Sequence, residues 1–134
     1  MFFYYLHYAY TQLDQGAKAD ALWQQIESFE TTAALDNLTK HDQNTLEALG
    51  LHLFAQGRTN DAMIVLERLY AIGFRDYYYV RSDPVLRKYL DGPEANAWIA
   101  RLKLDIDTMR ERVEAANRAH DFKAEALAAL GLDE

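Results

Sequence analysis

The sequence has no residues that form disulfides and few that break helices. It has no cysteine and only two prolines and six glycines among 134 residues. The absence of cysteine excludes disulfides, thiolate metal sites and a cysteine nucleophile. Few helix breakers, together with many alanines, leucines, glutamines and glutamates, predict a helical chain. No apolar run approaches the 18 residues that a membrane-spanning helix needs, so we expect no membrane span in this chain.

A basic surface is also missing. The formal net charge is −7, with 14 lysines and arginines against 21 acidic residues. Binding to nucleic-acid phosphates needs clustered cations, so we expect no nucleic acid to bind through this domain. Five arginines alternate with acids and aromatics, and we interpret them as scattered surface and pairing residues: Arg58, Arg68, Arg75, Arg81 and Arg87.

Catalytic motifs are absent as well. None of the four histidines has a histidine four residues away, which is the helical zinc spacing. His7 and His52 could still meet across two helices. The serines, Ser28 and Ser82, lack flanking glycines, and no phosphate loop occurs. We therefore predict no enzyme activity and no catalytic, cofactor-binding or metal site.

An internal repeat organises what is present. Residues related by an offset of 41 share a helical stretch, Gln-Gly, three further residues and then Asp-Ala. The matched residues are Gln15, Gly16, Asp20 and Ala21 in the first copy and Gln56, Gly57, Asp61 and Ala62 in the second. We predict a single all-α domain over residues 1–134. Its predicted parts are a helical hairpin at 1–30, a linker at 31–43, a second hairpin at 44–73, an irregular segment with a short helix at 74–92, and a long C-terminal helix region at 93–130.

Helix boundaries can be placed in the second copy and beyond it. Asn44 and Glu47 have the spacing of a capping box, and Gly57 suits the left-handed residue that ends a helix. Asp83-Pro84 predicts the start of a short helix, and Pro93 predicts the start of the long one.

The long helix carries a heptad pattern. Its apolar positions are Ala95, Ile99, Leu102, Ile106, Met109, Val113 and Ala116. We expect this seam to pack on the body of its own chain, because a terminal helix normally caps a repeat array. A coiled-coil dimer is the alternative.

The second copy resembles a tetratricopeptide repeat. Gly50, Gly57 and Ala62 occupy that family's small-residue positions, as Ala9, Gly16 and Ala21 do in the first copy. The spacing of 41 departs from the family's period of about 34 residues. The resemblance implies antiparallel helical hairpins of α-solenoid type and a peptide-binding face formed by Tyr8, Gln12, His52 and Gln56.

A further likeness lies downstream, in Ala71-Ile-Gly-Phe-Arg-Asp-Tyr77 and Arg81-Ser-Asp-Pro84. These segments are similar to the C-terminal tetratricopeptide tails of bacterial multidomain regulators that carry winged-helix, cyclase or kinase domains. The likeness implies a non-enzymatic protein–protein interaction module within a larger bacterial regulatory protein, with a peptide or protein partner. It implies a cytoplasmic location, or a periplasmic one if the module is attached to a membrane-bound regulator.

Two other functions remain open from the sequence. One is a ligand-sensing effector domain of a transcriptional regulator, and the other is a structural dimerisation domain. The nine tyrosines fit either packing between helices or a recognition surface. The apolar helix from Phe2 to Tyr10 also lacks a polar face, so we expect it to be covered by a preceding helix, by a second copy of the chain in a homodimer, or by the long C-terminal helix folding back.

Overall fold

The structure is a computed structural model that describes residues 1–28 and 31–131. Within these ranges the chain is helical and contains no β-strand, which confirms the predicted all-α class. Residues 29, 30 and 132–134, which fall in the predicted first hairpin and the end of the predicted domain, lie outside the described residues. The helices are α1 (Phe2–Gln12), α2 (Gly16–Glu27), α3 (Thr32–Leu35), α4 (Gln43–Ala55), α5 (Thr59–Ala71), α6 (Tyr77–Ser82), α7 (Pro84–Tyr89), α8 (Pro93–Ala119) and α9 (Phe122–Leu130).

The centre of the fold is α4. Every residue from Leu49 to Phe54 is buried, which includes Gly50 and His52. A helix that is buried on most sides needs neighbours all around it. It packs extensively on α5 and also contacts α7, while α1 packs on α2 and α7. The core therefore surrounds α4, and its largest fully buried side chains are Ile26, Leu46, Leu51, Leu53, Val65, Leu69, Val85 and Leu102.

The approach of α4 to α5 is close at Gly50. A Cβ atom added to Gly50 would lie 3.5 Å from Val65 Cγ1 and 3.6 Å from Leu66 Cδ2. These are ordinary van der Waals distances, so the space at Gly50 is sufficient for a methyl group. Little room remains for a larger side chain, as its position within the apolar stripe predicts.

Local signals set the helix ends. After α4, Gly57 has φ +72°, and the N–H of Arg58 donates to Leu53 O at 2.9 Å, which is the Schellman arrangement. The predicted stop at Gly57 is thus confirmed. The predicted capping box at Asn44 is wrong, because α4 begins earlier and Asp42 Oδ1 accepts from Thr45 N at 2.8 Å.

The two short helices α6 and α7 meet at Asp83. Asp83 Oδ1 accepts from the N–H groups of Val85 and Leu86, both at 2.9 Å, and Pro84 is the first helical residue of α7. This confirms the helix start predicted from Asp83-Pro84. The other carboxylate oxygen, Oδ2, accepts from the Tyr5 hydroxyl at 2.6 Å, so one side chain both caps α7 and ties it to α1.

The long helix α8 is anchored over its first half. Ile99 and Leu102 are buried, and Trp98 Nε1 donates to Leu66 O at 3.1 Å. Further along, Arg75 Nε lies 2.8 Å from Asp105 Oδ2, and Arg110 Nη2 donates to the Tyr78 hydroxyl at 2.8 Å.

The predicted packing of the whole heptad seam is wrong for its second half. Met109 is 45% exposed and Val113 is 59% exposed, because the body of the chain ends beside Arg110. The helix then continues to Ala119 and is followed by α9, whose described side chains are almost all exposed.

The start of α1 is partly exposed. Tyr4 is buried, whereas Phe2 is 70% exposed and Phe3 is 41% exposed. The predicted covering of the start of α1 by a second copy of the chain is therefore untested and stays a prediction. Among the helices described here, none is long and apolar enough to cross a membrane.

Candidate functional site

Three aromatic side chains from three helices meet in a surface cleft. His7 of α1 lies 5.1 Å from Trp23 of α2 between ring centroids, and Trp23 is stacked on Tyr89 of α7 at 6.1 Å with an interplanar angle of 7°. The cleft has a volume of about 340 Å³ and is also lined by Asp20, Ala55 and Lys88. All three side chains are partly exposed. We call this feature the aromatic cleft.

Hydrogen bonds fix the rings of the aromatic cleft. The Tyr89 hydroxyl and His7 Nδ1 are joined at 3.2 Å, and Trp23 Nε1 donates to Glu27 Oε1 at 2.6 Å. The Lys88 ammonium lies 5.2 Å from the centroid of the Tyr89 ring, within the range of a cation–π contact. These contacts therefore restrict the orientations of the rings in the aromatic cleft.

A buried pair supports the cleft from beneath. Tyr4 and His52 are 4% and 5% exposed, and the Tyr4 hydroxyl is hydrogen-bonded to His52 Nδ1. The Tyr4 ring contacts the Tyr89 ring edge to face at a centroid distance of 5.7 Å. Burial raises the pKa of Tyr4, with a smaller contribution from Tyr89, so its hydroxyl stays protonated. The pair joins the central helix α4 to the wall of the cleft.

The electrostatics of the cleft favour a neutral His7. Burial lowers the pKa of His7, the Lys88 cation lowers it further, and Asp20 opposes both effects. Burial also raises the pKa of Tyr89. At neutral pH the cleft therefore presents uncharged rings between one cationic and one anionic side chain.

The four residues of the predicted peptide-binding face are placed differently from one another. Tyr8 is half-buried against the core, and Gln12 is exposed near the end of α1. His52 is buried beneath Tyr4, so its side chain is absent from the exposed surface. Gln56 is half-buried, and its Nε2 donates to Glu27 O at 3.4 Å. The predicted face and the aromatic cleft adjoin at the end of α4, where Ala55 lines the cleft.

Sequence reasoning did not single out Trp23, Lys88 or Tyr89 for a site. The repeat aligns Trp23 with Ile64, so an aromatic residue in place of an aliphatic one is the signal in the sequence that could have identified Trp23. Its proximity to Tyr89 depends on how α7 packs against α1. A helical pattern carries no information on that packing.

His7 and His52 do not form a common metal site. His7 is bonded to Tyr89, and His52 is bonded to Tyr4. Across residues 1–28 and 31–131, no group of three or more histidine, aspartate or glutamate side chains is arranged to hold a metal ion.

The chemistry that the aromatic cleft offers is recognition of an apolar side chain with polar neighbours. Aromatic faces supply large contact areas, and Lys88 and Asp20 at its edge can pair with charges of either sign. Comparisons of the chain with protein-family models, with curated proteins and with solved structures found no match.

Proposed function

We propose that this chain is a non-enzymatic protein–protein interaction module that binds an extended peptide in the aromatic cleft. The observation that carries the proposal is the meeting of His7, Trp23 and Tyr89 from three different helices. Aromatic rings that serve only to pack two helices together are not expected to line an open cleft. These three rings border about 340 Å³ of open volume.

Preorganisation supports this function. Binding a peptide costs less when the receptor side chains are already fixed, because fewer rotamers are lost on association. Trp23 and Tyr89 are each held by a hydrogen bond, and Tyr89 also rests on buried Tyr4. Tryptophan and tyrosine in such settings are the residue types that dominate binding energies, and truncating one costs about 2 kcal/mol or more.

The side chains around the cleft define the peptide. An apolar or aromatic side chain would lie against Trp23, with an acidic neighbour near Lys88 and a basic neighbour near Asp20. The net charge of −7 additionally favours partners with net positive charge, because long-range attraction accelerates their association.

The architecture that suits this role is a tetratricopeptide-like solenoid. We propose that α1 with α2, and α4 with α5, form antiparallel hairpins, because connections of about three residues favour packing of consecutive helices side by side. The close approach at Gly50 supports the same arrangement. The likeness of residues 71–84 to regulator tails supports placing the module in a larger bacterial regulatory protein.

A displayed library of random dodecapeptides tests the proposal. Selected peptides, labelled with a fluorophore, are titrated by fluorescence polarisation against the wild type, Trp23→Ala and Lys88→Glu. The matched control is Phe122→Ala, which removes a ring that is 52% exposed on α9. We expect at least tenfold weaker binding to Trp23→Ala, and unchanged binding to the control. Selected peptides that bind Trp23→Ala as tightly as the wild type would show that the cleft is not the receptor.

A further inference from the structure

A second pocket uses a different set of residues around α7. It has a volume of about 180 Å³ and is lined by Arg81 at the end of α6, Arg87 of α7, Asp91 in the following turn and Asn96 near the start of α8. Buried apolar side chains, among them Leu86 and Ile99, complete the lining. Neither arginine lines the aromatic cleft. We call this feature the arginine pocket.

The two arginines of this pocket differ from most of the others in their pairing. In the part of the chain that the structure describes, the guanidinium group of neither Arg81 nor Arg87 makes a hydrogen bond or an ion pair. By contrast, five of the other seven arginines lie within ion-pair distance of a carboxylate: Arg58, Arg75, Arg101, Arg110 and Arg118. The chain has seven more acidic than basic residues, so carboxylates for pairing are plentiful. The N–H donors of two guanidinium groups in one concavity are therefore available to a ligand.

Helix stability explains why the two arginines lie at helix C-termini, but it does not explain why both line the same pocket. Each arginine lies in the last turn of its helix, where a cation interacts favourably with the helix dipole. Any orientation around the helix end would satisfy that interaction. Lining one pocket together is a separate property of Arg81 and Arg87.

We propose that the arginine pocket binds a carboxylate, held by the guanidinium groups of Arg81 and Arg87 and by the side-chain amide of Asn96. A guanidinium group presents two parallel N–H donors that match the two oxygens of a carboxylate. Asp91 also lines the pocket, so its charged residues sum to +1. That balance suits a singly charged group better than a dianionic phosphate.

The size of the pocket agrees with this ligand. A volume of about 180 Å³ is many times the roughly 10–15 Å³ that a single water needs in the same measure. A carboxylate on a short carbon stem fits this space, with its apolar part against Leu86 and Ile99. Two sources share this chemistry: a free small organic acid and the carboxyl terminus of a peptide.

Titrations followed by ¹H–¹⁵N nuclear magnetic resonance test the proposal at constant ionic strength, with chloride replaced by the probe. The probes are acetate, inorganic phosphate, acetyl-trialanine with a free C-terminus and the same peptide with an amidated C-terminus. We expect saturable shifts of the Asn96 side-chain amide with acetate or the free tripeptide, and no saturable shift with the amidated one. Tighter binding of the tripeptide than of acetate identifies a peptide terminus as the ligand, and the reverse identifies a free acid.

Variants separate the site from general ionic effects. Arg81→Gln and Arg87→Gln should each weaken binding at least tenfold, whereas Arg112→Gln, which removes an exposed arginine elsewhere on α8, should leave it unchanged. Because all three side chains are exposed, we expect the variants to stay folded. The proposal is overturned by shifts that rise linearly without saturation, by equal losses in all three variants, or by phosphate binding more tightly than acetate.

Discussion

Replacing Gly50 by alanine and by leucine measures how closely α4 approaches α5. An alanine Cβ would meet Val65 Cγ1 at 3.5 Å and Leu66 Cδ2 at 3.6 Å, which are ordinary contacts. Alanine therefore fits without displacing a neighbour. It also removes the helix-propensity penalty of glycine, about 0.8–1 kcal/mol. We expect Gly50→Ala to raise the free energy of unfolding by about 0.5–1 kcal/mol.

Leucine at the same position should have the opposite effect. Its three additional carbons would extend beyond the alanine Cβ, toward the buried side chains of Val65 and Leu66. Overpacking of this kind costs about 1–3 kcal/mol. For a domain of this size, a change of 1 kcal/mol moves the melting temperature by roughly 3–5 °C.

The assay for both variants is urea denaturation followed by circular dichroism at 222 nm. The two variants should differ from the wild type in opposite directions. A neutral leucine variant would mean that the two helices are further apart at Gly50 than described. An alanine variant as unstable as the leucine variant would mean that there is no room for a methyl group.

Three further outcomes are expected from the packing and the electrostatics. Trp98→Phe removes the indole donor to Leu66 O and part of a buried ring, so it should lower the free energy of unfolding by roughly 2–4 kcal/mol, measured by urea denaturation. Val113→Asp should change the melting temperature by less than the equivalent of about 0.5 kcal/mol, because Val113 is 59% exposed, and a large loss would indicate that this part of α8 is covered. The pKa of His7 is lowered by folding, so its neutral form contributes stability that is fully present above the unfolded value of about 6.5 and is lost as pH falls below it. Stability measured at pH 7.5 and pH 5 should therefore fall less in His7→Gln than in the wild type, and an equal fall would contradict the role of His7.

The sequence predicts the features of this fold that depend on neighbouring residues. The helix stop at Gly57 and the cap at Asp83 follow from backbone conformation and from hydrogen bonds spanning a few residues. The closeness at Gly50 follows from a small residue inside an apolar stripe. The capping box at Asn44 shows the limit of such signals, since Asp42 two residues earlier can serve the same N-terminal donors.

Features that depend on long-range packing could not be predicted from the same signals. The apolar stripe of α4 gives one buried face, whereas the helix is buried on most sides because α7 packs on it as well. His52 is internal for that reason. The aromatic cleft and the arginine pocket both depend on where α7 lies, and the heptad of α8 gives no indication that the body of the chain ends near Arg110.

The partial anchoring of α8 has a consequence for hydrogen exchange. Amides of its first half, around Ile99 and Leu102, belong to the buried core, so they should exchange slowest. Amides beyond Arg110 belong to the same continuous helix, yet only helical hydrogen bonds protect them. A helical segment of about nine residues is only marginally stable by itself in water. Exchange protection should therefore fall steeply within one unbroken helix.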